Sequence, residues 1–189
     1  MDMAPAEKAH QLLIACGARD IAHPGGTLLA HLERVHLLVS QWGARDAVRL
    51  AGLCHAFYGT DGFPTALGDV ARRSDLERVI GTEAEELVYV YAACDRGFTY
   101  PRLTAEPAAI KDRFTGAVLR PSPGLRRDFA EITAANELDI VTVNADLRAR
   151  YGAELHELFT SWRGLLSDHA QRAVRATLPP PHAGQDRDR

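Results

Sequence analysis

Two histidines stand 24 positions apart in apolar segments of the sequence, His31 and His55. An imidazole can bind a transition metal or transfer protons near neutral pH, so two inward-facing histidines could support either chemistry. His31 shares one helical stripe with Leu28 and Val35, whose apolar side chains favour the core side of a helix. Its ring is therefore expected to face inward.

The segments around the two histidines are predicted to form antiparallel helices. Residues 27–42 begin at a capping threonine, carry Arg34 on their solvated face and end before a glycine. Residues 46–58 carry so few charges that the second helix should be buried on nearly all sides and occupy the centre of the fold. With a rise of about 1.5 Å per residue, His31 and His55 lie at similar distances from the connecting turn. Their rings are expected to converge.

Polar residues on either side of this helix pair are predicted to line the same pocket. His23 lies in a connector rich in proline and glycine, which could fold back over the mouth of the pair. The turn after the second helix holds Tyr58, Thr60 and Asp61, and its glycines let the backbone approach a ligand. The alternatives are a loop histidine without a role and a plain helix exit turn. Our candidate catalytic residues are His55, Tyr58 and Asp61, and our candidate substrate-binding residues here are His23 and Thr60.

A late helical segment, residues 125–143, offers two further polar side chains about one turn apart, Asn136 and Asp139. Each is more often a surface residue, but both could meet the histidines if this helix packs against the pair. We assign Asn136 to substrate binding. We assign Asp139 to a metal site with His31 and His55, because two histidines and a carboxylate suffice to hold one divalent ion of zinc, iron or manganese.

Several functions remain open for such a pocket. A metal ion, completed by Asp139 or Asp61, could activate water for hydrolysis, and the same ligands would also suit an iron-dependent oxygenase. Without a metal, His55 could act as a general base oriented by Asp61 or His31. A non-catalytic pocket for a small molecule, or simply hydrogen-bonded core histidines, is the remaining alternative. We predict a small-molecule enzyme of hydrolase type with a reduced metal site.

The composition fits one globular domain and disfavours several partners. The 189 residues are 46% hydrophobic and 25% charged, and the formal charge of -3 gives no general attraction to nucleic acid or anionic membranes. No apolar run approaches the ~18 residues of a membrane span, and no secretory leader is apparent. The three cysteines have no paired or metal-binding spacing and are expected to be reduced thiols. We therefore expect a cytoplasmic protein that binds a small molecule, without a nucleic-acid or membrane partner.

Helical periodicity along most of the chain predicts one all-α domain over residues 1–178 and a disordered tail at 179–189. Six to seven helices are expected, with a short hairpin near residues 113–119. A proline-rich segment, residues 97–124, is long enough to form a lid over the pocket. The predicted helices cover residues 6–16, 27–42, 46–58, 74–80, 82–96, 125–143 and 153–175.

The first helix pair resembles the opening of HD-domain proteins, a superfamily of metal-dependent phosphohydrolases and their relatives. The apolar residues 51–54 before His55 are similar to the lead-in to that family's His-Asp pair, and the interval from His31 to His55 also fits the family. The resemblance spans roughly residues 20–145, with specific motifs in about the first forty of them. It implies an HD-domain-like helical bundle, a divalent metal ion and hydrolase chemistry.

The sequence departs from the HD pattern at the metal ligands. Ala56 stands where the family carries the aspartate of its His-Asp pair, and Asn136 is the best match for the family's last aspartate ligand, with Asp139 nearby. The acidic pair of the alarmone-hydrolysing branch is replaced by residues 58–61. The resemblance therefore implies an offshoot in which two histidines combine with a neutral amide or with one carboxylate, and alarmone hydrolysis is not expected.

Overall fold

The computed structural model describes residues 3–178 and 180 of the chain. Their buried apolar side chains, from Ala9 to Leu178, form one continuous core. Apart from residue 180, the tail predicted at residues 179–189 lies outside the described residues. None of the helices in the described part combines the length and the apolar content needed to cross a bilayer.

Helices make up most of the fold, as predicted, and two short antiparallel hairpins complete it. The described residues form nine α-helices rather than six to seven, because one forms inside the predicted loop and the predicted last helix is divided in two. The elements in chain order are α1 (Pro5–Ala15), β1 (Ala22–His23), β2 (Gly26–Thr27), α2 (Leu28–Gln41), α3 (Asp46–Cys54), α4 (Arg73–Ile80), α5 (Thr82–Ala93), α6 (Arg96–Thr99), β3 (Ile110–Lys111), β4 (Val118–Leu119), α7 (Pro123–Val143), α8 (Ala145–Ser161) and α9 (Asp168–Thr177).

The two histidine-bearing helices, α2 and α3, pack against each other as the sequence predicts. Thr27 caps α2 by accepting a hydrogen bond from the backbone N–H of Ala30 at 3.2 Å. Gly43 follows α2 with a φ of +78°, a left-handed conformation that side chains other than glycine rarely adopt, and turns the chain back toward α3. α3 then packs against α1, α2, α4, α5 and α7, which confirms its predicted central position.

α3 ends at Cys54, four residues before its predicted end at Tyr58. The chain then continues in tight turns, in which the Phe57 N–H donates to the Cys54 carbonyl only three residues earlier. His55 is therefore the residue that closes the helix. Because a tight turn rotates the chain differently from a helix, Tyr58 and the residues beyond it leave the helix face that was expected to carry them.

α7 is the second central element of the fold. It packs against α2, α3, α5, α8 and α9, and most of its residues from Phe129 to Val141 are buried. Ser122 caps its first turn by accepting a hydrogen bond from the Leu125 N–H. The buried residues include four polar ones, so this helix carries polar groups that must find partners inside the core. These four are Glu131, Thr133, Asn136 and Asp139.

The C-terminal segment forms two helices, where the sequence pattern predicts one over residues 153–175. α8 ends at Ser161 and α9 begins at Asp168. Ser167 caps α9, and its backbone N–H and hydroxyl both donate to the buried carboxylate of Glu131, at 3.1 and 2.5 Å. The apolar periodicity runs across this break because both helices pack against the same core, so periodicity alone does not reveal the break.

The predicted loop at residues 97–124 contains most of α6 and the whole β3–β4 hairpin. The hairpin is confirmed, although its first strand begins at Ile110, before the predicted start at residue 113. The backbone of Asp112 pairs with Cys94, directly after α5. These contacts anchor the segment beside α5 and do not support a lid over the histidines.

Candidate functional site

The two histidine rings converge in the core. His31 on α2 and His55 at the end of α3 place their Nε2 atoms 3.3 Å apart. The two residues are only 1% and 2% exposed. The matched level of the rings follows from their similar distances to the turn between the helices, as the rise per residue predicts.

Asn136 of α7 meets both rings. Its side-chain oxygen Oδ1 lies 3.0 Å from Nε2 of His31 and 3.0 Å from Nε2 of His55. The three atoms form a nearly equilateral triangle inside the core. Residues of α2, α3 and α7 therefore each contribute one polar atom to the same small region of the core.

Asp139 contacts the other nitrogen of the His31 ring. Its Oδ2 lies 2.6 Å from Nδ1 of His31, whereas the nitrogen that faces His55 is Nε2. The sequence predicts Asp139 as a metal ligand together with His31 and His55. In the structure, Asp139 instead contacts Nδ1 of His31 and orients that ring. Helical spacing is the reason, because Asp139 lies almost one turn beyond Asn136 and so meets a different edge of the same ring.

Arg34 fixes the Asp139 carboxylate. Its guanidinium donates from Nε to Oδ1 at 2.6 Å and from Nη2 to Oδ2 at 3.0 Å. Burial alone would raise the pKa of Asp139, but the hydrogen bonds from His31 and Arg34 outweigh burial and hold this pKa below its ordinary value. Arg34 thus points to the site instead of belonging only to the solvated face. The available signal was its position three residues after His31, on the same side of α2.

The partners of the two rings decide which nitrogen carries the hydrogen. Nδ1 of His31 faces the Asp139 carboxylate, and Nδ1 of His55 faces the Gly52 carbonyl at 2.8 Å. Both partners can only accept hydrogen bonds, so each Nδ1 is a donor, and each neutral ring presents a lone pair at Nε2. Burial, and then the neighbouring His31, lowers the pKa of His55 to about 3, so His55 is neutral at physiological pH.

The neighbouring residue Glu137 determines how the Asn136 amide is oriented. Nδ2 of Asn136 donates to Oε1 of Glu137 at 3.0 Å, and Nη1 of Arg96 donates to the same oxygen at 3.0 Å. A reversed amide would set Oδ1 against the Glu137 carboxylate, so the assignment from the hydrogen-bond network turns this oxygen toward the histidines. In the form in which the His31 ring is also neutral, three lone-pair-bearing atoms face one another without a hydrogen between them.

His23 folds back over the pair, as predicted for its connector. Its ring stacks on the His31 ring with the centroids 4.1 Å apart, and Phe63 contacts it at 5.2 Å. The β1–β2 hairpin that carries His23 sits tightly against α7, since a Cβ atom added at Gly25 would lie 2.6 Å from Cγ2 of Val143. Burial, and then His31, lowers the pKa of His23 to about 4. A neutral ring therefore covers the pair.

Tyr58 belongs to a separate polar cluster. Its hydroxyl donates to Oε1 of Glu85 at 2.9 Å, and Arg73 donates to the same carboxylate from Nε and Nη2. Glu85 is only 2% exposed, so this ion pair and the tyrosine satisfy a carboxylate in the core. The geometry gives Tyr58 this structural task rather than the predicted catalytic role beside His55.

Thr60 and Asp61 serve the turn itself. Thr60 is buried, and its Oγ1 accepts a hydrogen bond from the Phe63 N–H at 3.0 Å. The hydroxyl predicted to bind substrate is therefore used within the turn. Asp61 is exposed and accepts from the backbone N–H of Arg96 at 3.0 Å. The residue that orients His55 is Gly52, through its carbonyl, and not the predicted Asp61. The early end of α3 is the physical reason.

Tyr91 is a neighbour of the site that the sequence pattern presents only as part of an apolar helix face. Its ring meets the His55 ring edge-on, with the centroids 5.2 Å apart. Its hydroxyl is buried and has no hydrogen-bond partner among the described residues. Burial raises the pKa of Tyr91, so its hydroxyl stays protonated, and the nearby Thr133 makes no hydrogen bond of normal geometry with it. Since buried hydroxyls are normally paired, this one is a candidate contact for a bound ligand.

Within residues 3–178 and 180, no group of three or more histidine, cysteine, aspartate or glutamate side chains is arranged to hold a metal ion. The third atom beside His31 and His55 is instead an amide oxygen, from Asn136. Amide oxygens are accepted metal ligands in proteins. An ion bound here would therefore be held by two imidazoles and one amide.

Comparison with known proteins gives one family match. Residues 12–96 match the family described as a domain of unknown function, DUF6817. The matched part includes His23, His31 and His55 and ends before Asn136 and Asp139, so it covers two of the three helices that meet at the site. No curated protein and no solved structure matches the chain.

Proposed function

We propose that this chain is a small-molecule hydrolase that uses one divalent transition-metal ion, held by His31, His55 and Asn136. The observation that carries the proposal is the convergence of three lone-pair-bearing atoms at mutual distances of 3.0 to 3.3 Å. Neutral acceptors at this separation repel one another in a dry core. A cation among them would convert that repulsion into attraction.

The separations fit a first-row metal ion. Ligands about 2.0 to 2.1 Å from such an ion stand roughly 2.8 to 3.4 Å from one another in octahedral or tetrahedral arrangements. The distances among the two Nε2 atoms and the Asn136 oxygen fall in this range. Imidazole nitrogen suits zinc and iron, and carbonyl oxygen suits manganese, so this mixed set covers the ions expected from the sequence.

The outer contacts of the rings also suit a metal ligand set. A ligating histidine generally donates its second N–H to a carboxylate or a backbone carbonyl, which fixes the ring and raises its basicity. His31 has such a partner in Asp139, and His55 has one in the Gly52 carbonyl. Arg34 keeps Asp139 in place and balances its charge.

The ligand set leaves the charge of the ion almost undiminished. Two imidazoles and an amide are neutral, and the nearest carboxylates, Asp139 and Glu137, are each paired with an arginine. A divalent ion at this point would act as a Lewis acid on water or on a substrate oxygen. The resemblance of the first helix pair to HD-domain phosphohydrolases supports hydrolysis, and the iron-dependent oxygenase stays open as the alternative for the same ligands.

A second candidate is metal-free acid–base catalysis. The observation that favours it is the 2.6 Å contact between Nδ1 of His31 and the Asp139 carboxylate, an arrangement that orients and supports an imidazole base. In this case one proton, carried by His31 and directed toward Asn136, would relieve the repulsion among the acceptors. Both candidates use the same pocket but differ in whether an ion is bound.

We also propose that the protein works in the cytoplasm. Cys16, Cys54 and Cys94 are free thiols in the structure. Burial raises the pKa of Cys54 to about 12, which keeps this thiol protonated and unreactive. Three unpaired cysteines of this kind fit a reducing compartment.

Elemental analysis of the purified protein tests the leading candidate. We expect about one equivalent of zinc, iron or manganese, and its loss in the double variant His31→Ala/His55→Ala. His36→Ala is the matched control, because His36 lies on the same helix but contacts the Arg49 carbonyl instead. A panel of chromogenic phosphate and carboxylate esters, assayed before and after chelation, then tests for hydrolysis.

The possible results separate the candidates. Metal in the wild type and in His36→Ala but not in the double variant supports the proposed ion site, and chelator-sensitive ester cleavage supports the hydrolase. If neither the purified nor the metal-supplemented protein binds an ion, the metal proposal is wrong. Ester cleavage that persists without metal and is lost in Asp139→Asn would favour the acid–base candidate. Iron without ester cleavage would redirect the search to oxidation.

A further inference from the structure

We infer that Glu137 is a positioning residue, which makes the neutral Asn136 amide an effective metal ligand by fixing its orientation and polarising it. This inference rests on the proposed ion site. It concerns a residue that the sequence pattern does not single out. Glu137 forms its hydrogen bonds with Asn136 and Arg96 and none with either histidine among the described residues, so we infer that it acts through Asn136.

An asparagine at a metal site has an inherent ambiguity. One end of its amide is an oxygen acceptor and the other is an NH₂ donor, and the two ends have nearly the same shape. In the metal-free protein, the lone pairs at Nε2 of His31 and His55 would attract the NH₂ end. The reversed amide would place hydrogens where an ion must bind.

Glu137 opposes this reversal. Its Oε1 accepts a hydrogen bond from Nδ2 of Asn136 at 3.0 Å, and a reversed amide would exchange this contact for repulsion between two oxygens. The contact is unusual for a helix, since adjacent residues project in different directions. The Asn136 oxygen is thereby held 3.0 Å from each ring nitrogen.

Arg96 holds Glu137 in turn. Its Nη1 donates to the same Oε1 at 3.0 Å, and the Glu137 side chain is only 14% exposed. The Arg96 backbone N–H is fixed by Asp61, and the guanidinium lies under Gly62, where an added Cβ atom would be 3.0 Å from Nη1. The turn after α3 therefore contributes to the site indirectly, by locating Arg96.

The negative charge of Glu137 also affects the amide itself. A carboxylate that accepts from Nδ2–H draws the N–H dipole toward it and shifts electron density toward Oδ1, because hydrogen-bonded groups polarise one another in a low-dielectric core. The amide oxygen then becomes a stronger donor for a cation. Asn136 and Glu137 together do what a single aspartate ligand would do, without a carboxylate between the two rings.

Zinc affinity in paired variants tests this inference. Glu137→Ala removes the acceptor, and we expect its Kd for zinc, measured by competition with a chromophoric chelator, to rise at least about tenfold. Glu137→Gln retains an acceptor oxygen without the charge and should restore part of the affinity. Asp128→Ala, which removes a carboxylate of the same helix that pairs with Arg45, should change the Kd less than about twofold.

The decisive comparison repeats Glu137→Ala in an Asn136→Asp background. An aspartate has no amide to orient, and the Glu137 carboxylate would repel it. We therefore expect Glu137→Ala to leave the zinc Kd unchanged or to lower it in this background. A merely electrostatic or structural effect of Glu137 would instead weaken zinc binding in both backgrounds, and that result would overturn the inference.

A metal-independent measurement separates this inference from the proposed ion site. The chain contains only two asparagines, Asn136 and Asn144, so ¹⁵N-asparagine labelling gives two side-chain NH₂ signals. In the metal-free protein, the Asn136 NH₂ should be shifted and slow to exchange, and Glu137→Ala should abolish this while the Asn144 signal stays unchanged.

The two readouts fail independently. If wild-type zinc binding is absent but the Asn136 signal responds to Glu137→Ala, the ion site is wrong and the positioning contact stands. If zinc binds to the wild type and Glu137→Ala changes the Kd less than about threefold, the ion site stands and the inference on Glu137 is wrong.

Discussion

Hydrogen-bond partners decide what each polar atom of the site can do. The Gly52 carbonyl and the Asp139 carboxylate leave the two Nε2 atoms as the acceptors that meet Asn136. An aspartate in place of Asn136 would add a carboxylate to a pocket already flanked by Asp139 and Glu137, and burying like charges together is costly. The amide avoids this cost while still offering an oxygen.

At this scale, the inward direction of His31 and His55 follows from helical periodicity, and the sequence identifies Asn136 and Asp139 as candidates. The sequence does not indicate which ring nitrogen each one meets. That depends on the rotation of α7 against α2, which is set by packing between residues more than a hundred positions apart. The sequence also does not identify Glu137, because its role depends on where the same packing places Asn136.

Replacing Asp139 by asparagine should weaken metal binding. The amide can still accept from His31, but the negative charge that raises the basicity of this ring is lost and Arg34 is left without its partner. We expect the Kd for zinc to rise about 10- to 100-fold, as for other residues that support metal-bound histidines. Competition with a chromophoric chelator measures the change.

Asp128→Asn is the control for this measurement, since Asp128 lies on the same helix and pairs with Arg45. An equal loss of zinc affinity in both variants would show a general charge effect and contradict the orienting role of Asp139.

Element boundaries place the functional side chains. Because α3 ends early, His55 lies at the helix terminus and Asp61 contacts the backbone N–H of Arg96. The β1–β2 hairpin places the His23 ring against the His31 ring. The sequence predicts most elements, because caps, glycines and apolar periodicity are local signals. It misplaces the end of α3 and the break between α8 and α9, where the tight turns and the Glu131 contact come from tertiary packing.

Gly25→Ala should displace the hairpin that carries His23. An alanine Cβ would lie 2.6 Å from Cγ2 of Val143, in addition to the strain of a left-handed φ of +78°. We expect a loss of about 2 to 4 kcal/mol in the free energy of unfolding, measured by urea denaturation, from strain and overpacking together. The His23 NMR signals should also shift as its ring leaves His31.

Gly43→Ala provides a matched control, because Gly43 has the same φ of +78° and nothing within 4 Å of an added Cβ atom. It should show only the cost of strain, about 1 to 2 kcal/mol. The extra cost in Gly25→Ala should fall when Val143→Ala is added. Equal costs at both glycines would contradict tight docking of the hairpin.

Asp112→Asn should destabilise the β3–β4 hairpin in a pH-dependent way. Asp112 is buried and accepts hydrogen bonds from the Tyr89 hydroxyl and from the Phe114 and Thr115 N–H groups. Burial would raise the pKa of Asp112, but these bonds outweigh it and lower the pKa below its ordinary value. At pH 7 we expect a loss of about 1.5 to 3 kcal/mol in the free energy of unfolding.

The sign of the pH dependence follows from proton linkage. A carboxyl whose pKa is lower in the folded state contributes stability above its unfolded pKa of about 3.9, and this contribution disappears as the pH falls through the folded value. The difference between wild type and Asp112→Asn should therefore shrink between pH 5 and pH 2 in denaturation experiments. Glu106→Gln, at an exposed carboxylate that pairs with Arg126, should have little effect at any pH. A difference independent of pH would contradict the role of the charge.

The molecule as a whole is one helical core in which α2, α3 and α7 meet at the site. Because α7 comes from a part of the sequence far from α2 and α3, a ligand bound to all three would stabilise the complete fold rather than one segment. The buried aromatic residues around them, including Tyr91, Phe129 and Trp162, hold the helices in register.

Zinc should therefore raise the melting temperature of the whole domain. At a free concentration a hundred times its Kd, the gain is about 2.7 kcal/mol, or roughly 5 to 10 °C for a domain of this size. Differential scanning calorimetry of the metal-free protein with and without zinc measures the shift, which His31→Ala/His55→Ala should abolish and His36→Ala should retain. A shift that persists in the double variant would place the binding elsewhere.

The sequence by itself determined the helical class, the α2–α3 pair and the inward direction of its two histidines. These features depend on local periodicity, capping and turn chemistry, which neighbouring residues supply. Only the tertiary structure decided that Asn136 is the third atom at the site, that Asp139 supports His31 from outside and that Tyr58 and Asp61 lie elsewhere. Each of these depends on how a distant helix is rotated in the core, and that rotation is the outcome of packing over the whole chain.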